Sequence, residues 1–243
     1  AQLDLLKMTK FLLDQGADFD AKNHEGKSPL DLTVISGTRK VAKEIIAKGA
    51  DINAIDRDGK NRLHRAAQKG DIEQLNRFLA LGIPINARDR EGQTPLHLAQ
   101  VNSEVTLLLV NMGASINAQD QDGNTPLFNA VLSGKISLVR QLIALGANVN
   151  LKNNMEQTPL HVTGKYLGIA KLLINNAAIV DAVDQNGMTP LHFSAQQGLS
   201  RFAKLLIKNR ANYTLKNING KTSLDLAKEA GFKNLVNLFN QTK

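Results

Sequence analysis

With 243 residues, 42% of them hydrophobic, the chain can bury a substantial core, and the absence of cysteine excludes a disulfide framework, thiolate chemistry and thiolate metal ligation. No apolar run approaches the roughly 20 residues that cross a bilayer, so no transmembrane segment is expected, and a cytoplasmic or other intracellular, reducing compartment fits best. A net charge of +8 raises the question of a polyanionic partner.

The chain opens on AQLDLLKMTKFLLDQG, which is amphipathic rather than a basic region followed by an apolar block. Leu5 to Leu13 align with the second helix of a repeat whose first helix is missing, so residues 1–25 are expected to be a partial repeat of a protein that extends upstream. One pattern then recurs: SPLD (28–31), NRLH (61–64), TPLH (94–97), TPLF (125–128), TPLH (158–161), TPLH (189–192) and TSLD (222–225). Their leucines, Leu30, Leu63, Leu96, Leu127, Leu160, Leu191 and Leu224, are spaced 33, 33, 31, 33, 31 and 33 residues apart. A second marker keeps step, as GADFD at 16, GADIN at 49, GIPIN at 82, GASIN at 113, GANVN at 146, AAIVD at 177 and RANYT at 210. A fixed period of this length means a repeat array. The spacing predicts repeats at 26–58, 59–91, 92–122, 123–155, 156–186 and 187–219, then a capping repeat at 220–243.

Local chemistry explains the period. Asp-x-x-Gly, as in Asp56 to Gly59 and Asp120 to Gly123, is hairpin-turn chemistry. Thr then caps a helix, and Pro occupies its first turn, where a missing N–H costs nothing. A second helix follows, with Ile136, Val139, Leu142 and Ile143 at helical spacing, and Gly146 ends it. One such helix pair cannot bury its apolar face alone, so neighbours stack.

These residues resemble the ankyrin repeat, whose turn, T-P-L-H-x-A motif and two helices fill about 33 residues. The resemblance covers essentially the whole chain. It departs at NRLH, at the two copies with Asp in place of His, and at Glu156, where other copies have glycine. It implies an all-α repeat solenoid of stacked helix–turn–helix units with β-hairpin-like loops, forming a single domain over 1–243. It also implies a non-enzymatic protein–protein interaction scaffold that grips a partner protein on a concave face and is monomeric, with no cofactor. Two alternatives are a targeting module of a larger enzyme or secreted bacterial effector, which would act in a host cytosol, and anionic-surface or nucleic-acid binding.

Nothing points to catalysis. His64, His97, His161 and His192 share one motif slot, and in the ankyrin family this imidazole bonds backbone of the neighbouring turn. Adjacent copies would lie about 10 Å apart, too far to share a metal ion. The Ser and Thr residues beside them are helix caps, and no phosphate loop or two-histidine metal spacing occurs. The charge is local: residues 199–243 hold nine Lys/Arg against two acids, while the first 198 hold 21 against 20. Arg201, Lys204 and Lys208 form a basic stripe on one helix, but the chain is only 4% aromatic, so base-stacking platforms are few and nucleic acid is disfavoured.

A partner surface is expected at turn tips and first helices, where the repeat pattern leaves residues free. Its candidates are Arg57, Lys60, Gln68, Lys69, Arg90, Glu91, Gln93, Gln121, Asp122, Asn124, Leu132, Ser133, Asn154, Met155, Gln157 and Tyr166. Leu132 is apolar where equivalent slots hold Gln68 and Gln196. Phe128 replaces the motif histidine, so that turn must satisfy its backbone differently. In KNNMEQ an asparagine is expected to take positive φ, leaving Met155 at the tip. The repeats of 31 residues are expected to lose the turn between their helices, leaving a recess on each side of Leu132 and Ser133 and a surface centred on Gln93 to Lys165.

Overall fold

The computed structural model describes residues 2–241, with side chains from Asp4; Ala1, Thr242 and Lys243, at the outer ends of the expected first and last repeats, lie outside the described residues. The chain is all-α, and no β-strand occurs among the described residues. It forms two compact units, 1–114 and 115–243. The first holds α1 (Gln2–Asp14), α2 (Pro29–Ile35), α3 (Arg39–Ala47), α4 (Arg62–Lys69), α5 (Ile72–Leu81), α6 (Pro95–Leu98) and α7 (Ser103–Asn111). The second holds α8 (Pro126–Leu132), α9 (Ile136–Ala144), a 3-10 helix (Pro159–Val162), α10 (Leu167–Asn175), α11 (Pro190–Gln196), α12 (Ser200–Lys208), α13 (Ser223–Glu229) and α14 (Lys233–Gln241).

Within each unit a first helix packs on its own second helix and on neighbouring first helices, as α4 does on α5 and α6, and α11 on α12 and α13. The first unit buries Leu30, Leu63, Leu75 and Leu109; the second buries Leu127, Leu142, Leu173, Phe202 and Phe239. Each such side chain contributes about 1.5–3 kcal/mol by leaving water. The stripe expected on α9 is partly realised. Val139 and Leu142 are buried and Ile143 is half-buried, whereas Ile136 stands 41% exposed at the helix start, packed over Gly168.

The tips are built by one repeated device. Asn23, Asp56, Asp89, Asp120, Asn153, Asp184 and Asn217 each accept, at Oδ1, the N–H groups of the residues two and four ahead. These side chains therefore form turns, as short polar side chains do when they bond their own backbone.

The histidines link a helix start to the following tip. In His161, Nδ1 accepts the Thr158 N–H at 3.0 Å, so the ring proton lies on Nε2, which donates to the Met188 carbonyl at 3.1 Å. His192 repeats this with Thr189 and the Lys221 carbonyl at 3.2 Å, and His64 with Asn61 and the Gln93 carbonyl at 2.9 Å. His97 is buried and receives the Thr94 N–H at 3.1 Å. Where Asp31 replaces histidine, it accepts Ser28 N–H at 2.9 Å and pairs with Arg62, the residue that stands where five other copies have proline and the last has Ser223. The two departures therefore complement each other.

Two local expectations are corrected. The positive φ in KNNMEQ is taken by Glu156 itself, at 58°, and not by an asparagine; Asn153 is committed to its turn bonds. The short repeats lose more than a connecting turn. Their first helices shrink to Pro95–Leu98 and to the 3-10 turn Pro159–Val162, against seven or eight residues in the others. Removing two residues thus costs the last turn of the first helix, because the start of the second helix is fixed by its own core contacts.

Two measurements check this description. Ala177 and Arg210 hold φ of 65° at second-helix ends, the slot where Gly146 sits at 95° with open space around its α-carbon. Ala177→Gly and Arg210→Gly should each raise unfolding free energy by about 1 kcal/mol, and Gly146→Ala should lower it by a similar amount, read by urea denaturation. Burial holds His64, His161 and His192 below the usual imidazole range, outweighing their carbonyl bonds and nearby aspartates. The unfolded chain then binds more protons below about pH 6.5, so the stability these groups contribute is present above that pH and is lost as pH falls through the native values. Asp56 and Asp225 are also lowered, Asp56 against its burial by backbone N–H groups and Arg65, and Asp225 by Thr222; both lose their contribution only in the lower, carboxylate range. The melting temperature should be flat from pH 8 to 7 and fall by a few degrees by pH 5. An unchanged midpoint at pH 5 would contradict the neutral, buried imidazoles.

Candidate partner-binding surface

In the first unit, Arg57, Gln68, Lys69, Arg90 and Glu91 are exposed, and Gln93 is half-buried with its carbonyl bonded to His64. Arg57 and Arg90 belong to successive tips, which are joined by the Arg90 N–H donating to the Asp58 carbonyl at 3.1 Å. Beside them Arg65 pairs with both Asp56 and Asp58, and it joins the backbone N–H groups in lowering the Asp56 pKa against burial. Lys60 is a correction. Its side chain is only 11% exposed and lies 3.4 Å from the fully buried Asp89 carboxylate, so it serves the tip and is not free to meet a partner. Asp89 is drawn inward by its turn bonds, and Lys60 follows it because a buried carboxylate without a counter-charge is costly.

In the second unit, Gln121, Asp122, Asn154 and Met155 are exposed at successive tips; Asn124 and Gln157 are half-buried. The tips form a bonded ribbon: Asn154 N–H donates to the Asp122 carbonyl at 2.9 Å, Gln185 to Met155 at 3.1 Å, and Ile218 to Asn186 at 3.1 Å. At the Phe128 copy the imidazole is absent, and Thr125 caps only the Phe128 N–H. Side-chain amides take over the link: Asn154 Nδ2 donates to the Gln121 carbonyl at 2.7 Å, and Asn153 Nδ2 to Asn124 Oδ1 at 3.2 Å. Gln119 Nε2 adds a bond to the Lys152 carbonyl at 2.9 Å. Every N–H from Asn153 to Gln157 is bonded, while Met155 stays 49% exposed.

Met155 and Gln157 border a groove of about 430 Å³ that runs along the second unit's tips to Asn219, Lys221 and Glu229. Phe193, Gln196 and the buried Met188 also line it. Met188, a tip residue by its place in the sequence, is turned inward, where its sulfur meets Asn217 Nδ2 at 3.3 Å. Lys221 and Glu229 pair at 2.7 Å, so the groove offers amides, a balanced ion pair and apolar atoms. Phe193, Asn219, Lys221 and Glu229 were not among the candidates. Repeat register would have found Lys221, which occupies the slot of Gln157, Gln93 and Lys60.

Leu132 is 49% exposed at the end of α8, beside exposed Ser133. The recess expected on the side of the following short repeat is filled. A Cβ on Gly134 would run into the Tyr166 ring, so that ring covers the glycine. Tyr166 is therefore a packing residue between repeats, half-buried, with Lys165 Nζ 5.5 Å from its centroid, and not a free contact. Gly198 is covered in the same way by Phe232, and Gly70 by Val101 and Asn102. Arg201, Lys204 and Lys208 lie exposed on α12, away from the groove. Among the described residues no group of three or more His, Asp or Glu is placed to share a metal ion, and no helix is long and apolar enough to cross a membrane.

The family model for ankyrin repeats matches residues 35–120, 63–153, 102–182, 128–217 and 160–241. A stretch of 65 residues is 40% identical to NF-kappa-B inhibitor alpha of Gallus gallus, covering 26% of this chain and 20% of that protein. The match thus spans about a fifth of the relative's length. With the family model tiling the chain over the same helix pairs, histidine links and asparagine or aspartate turns described above, the chain belongs to the ankyrin-repeat family.

Proposed function

We propose that the chain is a protein-interaction module that holds a partner polypeptide on the tip groove of its second unit. Ankyrin repeats generally mediate protein–protein interaction, which sets the class of function. The observation that carries the location is Met155. It stands 49% exposed on a tip whose N–H groups are all bonded, beside a mainly polar groove that Phe193 and Met188 also line. Binding energy concentrates in such anchors, and the polar rim gives orientation. Gln121, Asp122, Asn124, Asn154 and Gln157 supply that rim, and Leu132 with Ser133 supplies a second contact at the far end of α8. Arg57, Gln68, Lys69, Arg90, Glu91 and Gln93 are the corresponding polar surface of the first unit. In this reading the module contributes affinity and position.

The test uses the full chain with a photo-crosslinking residue at position 155. A polypeptide crosslinked there and lost at least tenfold in Met155→Asp and in Leu132→Asp, with an unchanged thermal midpoint, supports the assignment; a tenfold loss corresponds to about 1.4 kcal/mol. Undiminished capture by both variants would remove this surface from the function.

A further inference from the structure

The second helices of the two units differ in charge. In the first unit, α3, α5 and α7 carry Glu44, Glu73 and Glu104 among their cations or alone. In the second unit, α9, α10, α12 and α14 carry Arg140, Lys171, Arg201, Lys204, Lys208 and Lys233 and no acid. The sequence totals agree: residues 115–243 hold fourteen Lys/Arg against seven acids, and 1–114 hold 16 against 15. All seven acids of the second unit sit on loops or on α13. Both units solvate the same kind of helix face, so solvation does not demand a single sign.

The cations are also in register. Arg140, Lys171 and Lys204 are each the fifth residue of α9, α10 and α12, and these helices pack in that order. Neighbouring helices lie roughly 8–10 Å apart, so the three form a row, and Arg201 and Lys208 extend it along α12. All five are exposed, and none makes an ion pair among the described residues. Ser137, Ala144, Gly168 and Asn175 lie exposed between them.

We infer that this outer face of the second unit is a docking surface for an extended acidic polypeptide, separate from the tip groove. A chain of like charges repels itself and extends. In the polyproline II conformation every third side chain returns to one side after about 9 Å, which matches the spacing of the row. Two other polyanions fit less well. A nucleic-acid duplex carries one charge per about 1.7 Å, so a row some 20 Å long would face roughly twelve phosphates with three cations. A bilayer surface calls for several aromatic or leucine side chains to enter the headgroup layer, and on α9, α10 and α12 the one large apolar side chain exposed is Ile136, which packs over Gly168.

The experiment measures fluorescence anisotropy of labelled poly-glutamate with the full chain, at low and at physiological salt. Binding should weaken with salt, fall at least about tenfold in R140Q/K171Q/K204Q and further in R140E/K171E/K204E, and at physiological salt stay within about twofold in K7Q/K40Q/K43Q, which removes three exposed lysines of the first unit. Circular dichroism confirms that the variants are folded, and the glutamine set serves if the glutamate set is not. Retained affinity in the glutamine variant, an equal loss in K7Q/K40Q/K43Q, or tighter binding to duplex DNA or phosphatidylserine vesicles than to poly-glutamate would each overturn the assignment. A failed groove test leaves this outcome untouched, since the two surfaces share no residue.

Discussion

The imidazoles of His64, His161 and His192 each reach from the start of one first helix to the carbonyl of the tip that follows, and the order of the tips depends on that reach. It closes the helix start on one ring nitrogen and fixes the next turn on the other. The bond at the helix start is buried and the bond to the tip is buried or partly buried, which makes them costly to leave unmade, and the two together need a neutral ring. Because His161 holds the Met188 carbonyl and His192 the Lys221 carbonyl, the turns lining the groove are set by residues that never face a partner. Asparagine or aspartate at each turn then fixes the loop shape from within, and the second helices pack against the result.

Departures from the motif obey the same constraint. Asp31 cannot bridge as histidine does, and Arg62 of the next repeat supplies the reach, bonding Asp31, Ser28 and the carbonyls of Asp51 and Ile52. Phe128 cannot bridge at all, so Asn153, Asn154 and Gln119 carry the link through side-chain amides. That substitution accompanies the strained Glu156 and the exposed Met155. The least regular junction is thus also the one that displays the anchor of the proposed surface, at a cost in backbone strain of about 1–2 kcal/mol.

The period, the helix pairs, the caps and the class of fold were legible because each is written in local chemistry repeated along the chain. Exposure at the tips was less legible. Lys60 and Met188 occupy slots that look free by pattern, yet one follows a buried carboxylate inward and the other packs beneath the groove. Tyr166 reads as a surface residue until the neighbouring Gly134 is seen to need a cover. These outcomes depend on contacts between repeats, which a single-repeat pattern does not encode. The length of a first helix was likewise hidden, since deleting two residues is compatible with losing either a loop or a turn. Charge placement was half visible: the stripe on α12 appears in the sequence, whereas the row across α9, α10 and α12 needs the packing order.

A chain built this way presents surfaces and positions them, and its two proposed contacts lie on different elements of the second unit. The account stands most directly on the imidazole link, and amide hydrogen exchange on His192→Phe tests it. The substitution removes the bond to the Lys221 carbonyl while keeping an aromatic ring in the slot, as Phe128 does naturally. Exchange should quicken at Asn217, Asn219 and Lys221, whose N–H groups close that tip, and stay unchanged across α12. Unchanged exchange at the tip, or an equal rise throughout the second unit, would contradict the account.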